Sequence, residues 1–393
     1  MSDNSNEPGG GWTESSGGSF TETSSQSWFS RLGGALKGIL VGLVLLPIAG
    51  WLIFWNEGRA VQTARSLSEG AGLVQSVSPE RPDAAHEGRL IHVSGAVRAE
   101  KPPGDAELNI TPPAGTLRLL RNVEMYQWKE ETSSETRTKL GGGTETVTTY
   151  NYRRVWQEGR IDSSRFRQPD GHQNPQMRHS SRAFNATNVT IGGFRLSDAQ
   201  VSGLSGGDAL TPPGANADGA VLIGNADTPR IGDLRITWRA VKPDALSVIG
   251  AQIGDGFGPF QTRAGDRLFR LDQGRIPAAA MIQAAQDENA MLTWILRLVG
   301  VIVMFIGWML IFNPLKVLAD VIPPIGAIMG FGTGLVAGVL TLILAPTIIA
   351  IAWLFYRPLV AVGILAAGFA LAYGLTLLRR RRTLPRPQQG KPA

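Results

Sequence analysis

Apolar and polar positions divide the chain into zones. Residues 38–55 run for 18 positions without a charge and end in Trp51 and Trp55, after which Asn56, Glu57 and Arg59 follow at once. At about 1.5 Å per helical residue this run covers roughly 27 Å, close to the ~30 Å of bilayer hydrocarbon. It predicts a membrane helix over 35–55. A long polar stretch precedes it and a charged pair stands where a signal peptide would carry a small-residue cleavage site, so the run reads as an anchor. A second apolar run covers 291–312. From 325 to 378 the chain has one charge, Arg357, followed by Pro358. That length suits two spans, 325–355 and 358–378, joined by a tight turn.

Between the first two spans continuous apolarity gives way to alternation. The segments 88–97, 116–128, 144–156, 219–223 and 230–241 interleave β-branched, aliphatic or aromatic residues with polar ones and are bounded by Gly, Pro, Asn and Asp. These predict strands. Helical stretches are expected at 61–77, 193–204 and 277–290. The fold class is therefore a polytopic α-helical membrane protein of four spans, with a large α+β extramembrane domain, residues 56–290, between spans 1 and 2. Residues 1–34 are dominated by Ser, Gly, Thr, Glu and Asn and predict a disordered tail. Residues 379–393 form a basic tail.

Charge adds a direction. The net charge of +6 owes much to the four arginines 379–382, directly behind an apolar span. That placement speaks of topology and anionic headgroups, and no nucleic-acid partner is expected. Arg31, Lys37, Lys316, the four arginines, Arg386 and Lys391 all fall on one side of a four-span layout, against Arg59, Arg65 and Arg357 on the other. The positive-inside rule then puts both termini in the cytoplasm and translocates the domain. With no cysteine in the chain, disulfides and thiolate metal sites are excluded.

Three groups of residues are candidates for function. Trp51 and Trp55 suit interfacial rings, and Asn56, Glu57 and Arg59 suit the junction where the extramembrane domain begins, with an ion pair fixing the entry angle. Arg297, a few residues inside the second span, reads as a snorkelling anchor. Gly326, Gly330, Gly334 and Gly338 recur every fourth residue, and Ala366, Ala370 and Gly374 make a similar stripe. Such stripes let helices approach closely, either between the third and fourth spans or in an oligomer. Asp170, His172, Asn174, Pro175 and His179 form a polar loop whose histidine spacing matches no zinc motif, so a loop structured by hydrogen bonds is expected in place of a metal site. No catalytic or cofactor fingerprint is present, and no cofactor is expected.

Several long stretches together resemble one family. WNEGRAV at 55–61, GRLIHVSGAV at 88–97, LLRNVEMYQWKE at 119–130, YNYRRVWQEGRIDSSRF at 150–166, GHQNP at 171–175, GDLRITW at 232–238 and NPLKVLADVIPPIG at 313–326 are similar, in the same order, to the transmembrane protein 43 (LUMA) family. The chain is identified as a bacterial member. The resemblance implies one span, a large luminal domain and three clustered spans. It also implies a non-enzymatic role as a self-associating membrane scaffold that organises proteins or lipids laterally. The expected partners are membrane lipids and further copies of the chain, in the inner membrane of a bacterium, or in the endoplasmic reticulum or nuclear envelope of a eukaryote. An envelope lipid-modifying enzyme and a channel or transporter stay open as alternatives. No acidic residue lies inside the apolar runs, which argues against transport.

Overall fold

The computed structural model describes residues 12–15, 18–225 and 227–382. In chain order the elements begin with β1 (Trp12–Ser15), β2 (Ser19–Gln26), α1 (Trp28–Leu73), β3 (Gln75–Val77), β4 (Leu90–Lys101), β5 (Arg118–Thr138) and β6 (Thr144–Glu158). They continue with β7 (Arg182–Asn185), β8 (Thr187–Ile191), β9 (Phe194–Arg195), α2 (Asp198–Ser202), β10 (Asp208–Leu210), β11 (Val221–Ile223), β12 (Leu234–Val241), β13 (Ala245–Ile253) and β14 (Gly256–Gly258). The last are β15 (Phe260–Gln261), β16 (Arg267–Leu268), β17 (Arg270–Gln273), α3 (Ala278–Ala319), α4 (Pro323–Tyr356) and α5 (Pro358–Arg382). They form two compact units. The first joins Arg65–Glu288 to the segment ending at Gly33 and to Val317–Ala327; the second comprises Gly34–Ala64, Asn289–Lys316 and the chain from Ile328 onward.

The first unit is built on two sheets. One runs β1-β2-β6-β5-β12-β10, with β7 on β5 and β11 on β12. Inner positions of β5 alternate buried and half-buried from Leu119 to Gln127, and Leu119, Val123 and Met125 pack with Leu234, Ile236 and Trp238 of β12. Buried Asp105 ties this core together: it accepts two hydrogen bonds from Arg121 and one from Trp238 Nε1 at 3.1 Å. In the other sheet the pairings β4–β8, β8–β9, β9–β14, β14–β13 and β13–β4 return on themselves. Ile91, Val93, Ile191, Phe194, Leu246 and Val248 fill its core. β13 is buried at every position from Ala245 to Gln252, which is why no alternation announced it.

The second unit is helical. Ala49 and Ile53 of α1, Met304 of α3 and Ala345 of α4 make its core. α1 and α3 approach closely because glycines face each other: a Cβ on Gly42 would lie 2.6 Å from the Gly307 carbonyl oxygen. The outward faces stay apolar, with Leu40, Trp294, Phe331 and Leu342 all more than 60% exposed. An exposed apolar surface of this extent marks a face that meets lipid or a partner. Three helices, α1, α3 and α4, are long and apolar enough to cross a membrane, whereas the apolar part of α5 among the described residues is shorter.

Several expectations need correction. Residues 1–34 do not form a wholly disordered tail: β2 pairs with β6 across eight positions from Ser19↔Asn151 to Gln26↔Thr144, Phe20 is buried, and α1 begins at Trp28. A polar, threonine-rich strand is ordered here by an edge partner distant in sequence. This pairing also conflicts with a span separating the tail from the domain, because backbone ladders do not form across a hydrocarbon layer. Trp28 Nε1 donates to the Val317 carbonyl at 2.8 Å, Arg31 pairs with Asp320, and Gly141 N donates to the Val321 carbonyl. The start of α1, the α3–α4 turn and the β5–β6 tip thus meet. α1 does not stop at Trp55, and the expected helix over 193–204 shrinks to α2. Arg386, Lys391 and the rest of 383–393 lie outside the described residues.

Candidate functional site

The junction predicted at Asn56, Glu57 and Arg59 lies in the middle of α1, and the second unit surrounds it. Asn56 and Glu57 are fully buried. Glu57 accepts two hydrogen bonds from Arg297 of α3, from Nε at 2.6 Å and Nη2 at 2.9 Å, and a third from Trp353 Nε1 of α4 at 2.8 Å. A two-point pair of this kind fixes orientation as well as charge. Arg297 is therefore no free snorkelling anchor: its guanidinium is held by Glu57 and lies 4.7 Å from the centre of the Trp294 ring.

One turn on, the second half of the network joins α1 to α3. Arg59 donates to Asn289 Oδ1 at 3.0 Å, to Thr293 Oγ1 at 3.0 Å and to Asn56 Oδ1 at 3.2 Å. Asn56 Nδ2 donates to the Thr293 carbonyl and Asn289 Nδ2 to the Ala60 carbonyl, both at 3.0 Å. Asn289, Thr293 and Arg297 stand four residues apart, so α3 presents them on one face. That stripe is visible in the sequence. The sequence reading passed over all three as partners, and Trp353 too. Gly58 makes room for α4, since a Cβ there would sit 2.7 Å from the Tyr356 ring. Trp51 and Trp55 stack on each other at 5.9 Å and remain 63% and 43% exposed. They flank the network without joining it.

The glycine stripe has a different partner from the one expected. Cβ atoms added at Gly330, Gly334 and Gly338 would meet Lys316, Met309 and Phe305, all on α3, and Gly326 abuts Asp320. α4 uses this face against α3, the second apolar helix, and not against α5. Ala366 and Ala370 are exposed, and among the described residues no atom of another element lies within 4 Å of a Cβ built on Gly374.

The polar loop belongs to the first unit and is held by hydrogen bonds. Asn174, buried, imitates a strand against Trp128: its Oδ1 accepts from Trp128 N at 2.8 Å and its Nδ2 donates to the Trp128 carbonyl at 2.9 Å. Arg160 donates to the Pro175 carbonyl at 3.0 Å. His172 stacks on Tyr152 at 4.0 Å and bonds through Nδ1 to the Gln168 carbonyl. Burial and the hydrogen bond to Glu130 push the Tyr152 phenol up to about 12. His179 pairs with Glu107, away from His172, and Asp170 is exposed. Among the described residues no three His, Asp or Glu side chains gather as a metal site.

What the junction offers chemically is charge taken up by fixed donors. Every carboxylate oxygen of Glu57 faces a donor, so the group is an anchor for three helices and presents no open base. Residues 125–358 match the family described as Transmembrane protein 43. The chain is 35% identical over 377 residues to the human protein of that name, across 89% of this chain and 92% of that one. The mouse protein is 33% identical over 358 residues, across 84% and 88%. A Drosophila melanogaster homologue is 29% identical over 345 residues, across 84% and 91%. No solved structure matches the chain significantly.

Proposed function

The chain belongs to the transmembrane protein 43 family, and from that premise we propose that it is a non-enzymatic membrane scaffold, self-associating through its helices. The protein is membrane-embedded. The observation that carries the scaffold reading is the junction itself. Glu57, Arg297, Trp353, Asn56, Arg59, Asn289 and Thr293 bond to one another and tie α1 to α3 and α4. Such a network makes the helices a rigid base. The relatives carry no enzyme name.

Self-association is assigned to α5. The α4 glycines are already covered by α3, while Ala366 and Ala370 are exposed and, among the described residues, no neighbour comes within 4 Å of a Cβ built on Gly374. Helices in lipid associate through small-residue stripes because close backbone approach gains van der Waals contact. The mass of the full chain in nanodiscs tests this. A multiple of the 42.1 kDa protomer that falls to one protomer when Ala366, Ala370 and Gly374 are all replaced by Leu supports the proposal. A wild-type monomer at every concentration overturns it.

A further inference from the structure

We infer that the second unit binds an anionic phospholipid by its phosphate, with Arg357 at the α4–α5 turn as the recognising cation. Within that unit Glu57 is the one acidic residue, against cations that include Arg297 and Arg357. Both oxygens of its carboxylate are taken: Arg297 bonds to Oε1 and Oε2, and Trp353 donates to Oε2. Arg357 stands close enough to act on the same charge, yet among the described residues its guanidinium has no hydrogen-bond acceptor. One carboxylate therefore serves two guanidinium groups and is bonded to only one. Arg357 is half-buried, and a cation left without an acceptor in a setting of low dielectric draws an anion from outside the chain.

The turn is held in place by its neighbours. A Cβ on Gly58 of α1 would come within 2.7 Å of the Tyr356 ring, and Phe54 meets Phe355 at 5.9 Å and Tyr356 at 5.4 Å. Arg357 N donates to the Trp353 carbonyl at 2.8 Å, and α5 starts at Pro358. Arg357 is thus kept beside residues 54–58. Trp51, Trp55 and Trp294, each within about two turns of the Glu57–Arg297 pair, are exposed. Exposed tryptophans gather where hydrocarbon meets headgroups, which is the depth of a lipid phosphate. A phosphate offers a guanidinium two oxygens at once. Acyl chains need no cavity here, because the apolar residues flanking the turn, Phe355 and Leu359, are exposed. A free phosphate would gain the cation and nothing from those side chains.

The inference rests on membrane embedding and is independent of self-association. Its test uses the full chain in nanodiscs containing phosphatidylglycerol or phosphatidylcholine with a photoreactive headgroup, followed by peptide mapping. Phosphatidylglycerol should label residues 51–58 and 353–361 about fivefold more than phosphatidylcholine, the effect of one basic residue on an anionic lipid. Arg357→Gln should remove that excess, and Arg357→Lys, which keeps the charge, should retain most of it. Lys37→Gln, on the same helix as Glu57 but about 30 Å before it, should change nothing. Equal labelling by the two lipids, or an excess that survives in Arg357→Gln, overturns the assignment. A loss shared by the Gln and Lys variants overturns a site built on charge. Inorganic phosphate that lowers the labelling more than chloride of equal ionic strength shows a site for the free anion and overturns the lipid. Labelling that avoids both segments overturns the site and leaves self-association, which is read from mass, untouched.

Discussion

Glu57 and Arg297 are 240 positions apart and meet in a two-point ion pair whose carboxylate is wholly buried. Breaking one partner leaves the other charge without a counter-ion in a dry helix bundle. A buried pair broken on one side typically costs about 3–5 kcal/mol, whereas replacing both members by apolar residues is often neutral. Glu57→Leu should therefore lower the unfolding temperature in detergent strongly, and Glu57→Leu with Arg297→Leu should recover much of the loss. A double variant as unstable as the sum of the singles would mean that the pair does not act as a unit.

Glycines that look alike in sequence differ in what they touch. Gly42→Ala drives a methyl to 2.6 Å from the Gly307 carbonyl oxygen, a backbone atom that cannot swing away. Overpacking of this kind costs about 1–3 kcal/mol. Gly334→Ala meets nothing closer than 3.8 Å and gains helix propensity, up to about 1 kcal/mol. Thermal unfolding of the two variants should move in opposite directions. Equal destabilisation would show that the four-residue period of the α4 glycines matters more than the α1–α3 contact.

How far the sequence could be read depends on where each signal is written. Apolar runs and the alternation of β5 are local, and both reappear in α1, α3, α4 and the Leu119–Val123–Met125 face. β13 was silent because its residues are buried on both faces and have no polar phase. β2 was mistaken for disorder because its partner β6 lies more than a hundred residues away. A glycine period shows which helix face is bare but not which neighbour covers it, hence the confusion of α3 with α5. The stripe Asn289, Thr293, Arg297 was legible, and Arg297 was read as a snorkelling anchor because nothing local shows that α1 brings Glu57 to it, 240 positions away.

His92 gives the first unit a pH response. Its Nε2 bonds to the Ile276 carbonyl at 2.9 Å, which can only accept, so the proton sits on Nε2 and Nδ1 accepts from Ser76 at 3.0 Å. Burial holds the imidazole below its ordinary value of 6.5, although the carbonyl opposes the shift. Above 6.5 folded and unfolded chains are both neutral here. As pH falls through 6.5 the unfolded chain takes up a proton first, so stability is lost on acidification until the folded value is passed. The drop in unfolding midpoint between pH 7.5 and 5.5 should be larger for the wild type than for His92→Asn; identical drops in both would exclude this histidine as the source.

Pairing of β2 with β6 decides how the chain meets its membrane. Thr21 lies opposite Thr149 in that ladder, and Ser134 lies opposite Thr148 within the β5–β6 hairpin. The chain has no cysteine of its own, so each introduced pair reports alone. Directly opposed residues bring their Cβ atoms to about 4.5–5.5 Å, within reach of oxidative crosslinking. In native membranes Thr21→Cys with Thr149→Cys should crosslink as efficiently as Ser134→Cys with Thr148→Cys. That outcome puts the segment before α1 and the β-rich unit on one side, and the charge-based topology with opposite sides then fails. Crosslinking of the hairpin pair alone would instead detach β2 from the sheet in the membrane and restore the separation that the distribution of Lys and Arg implies.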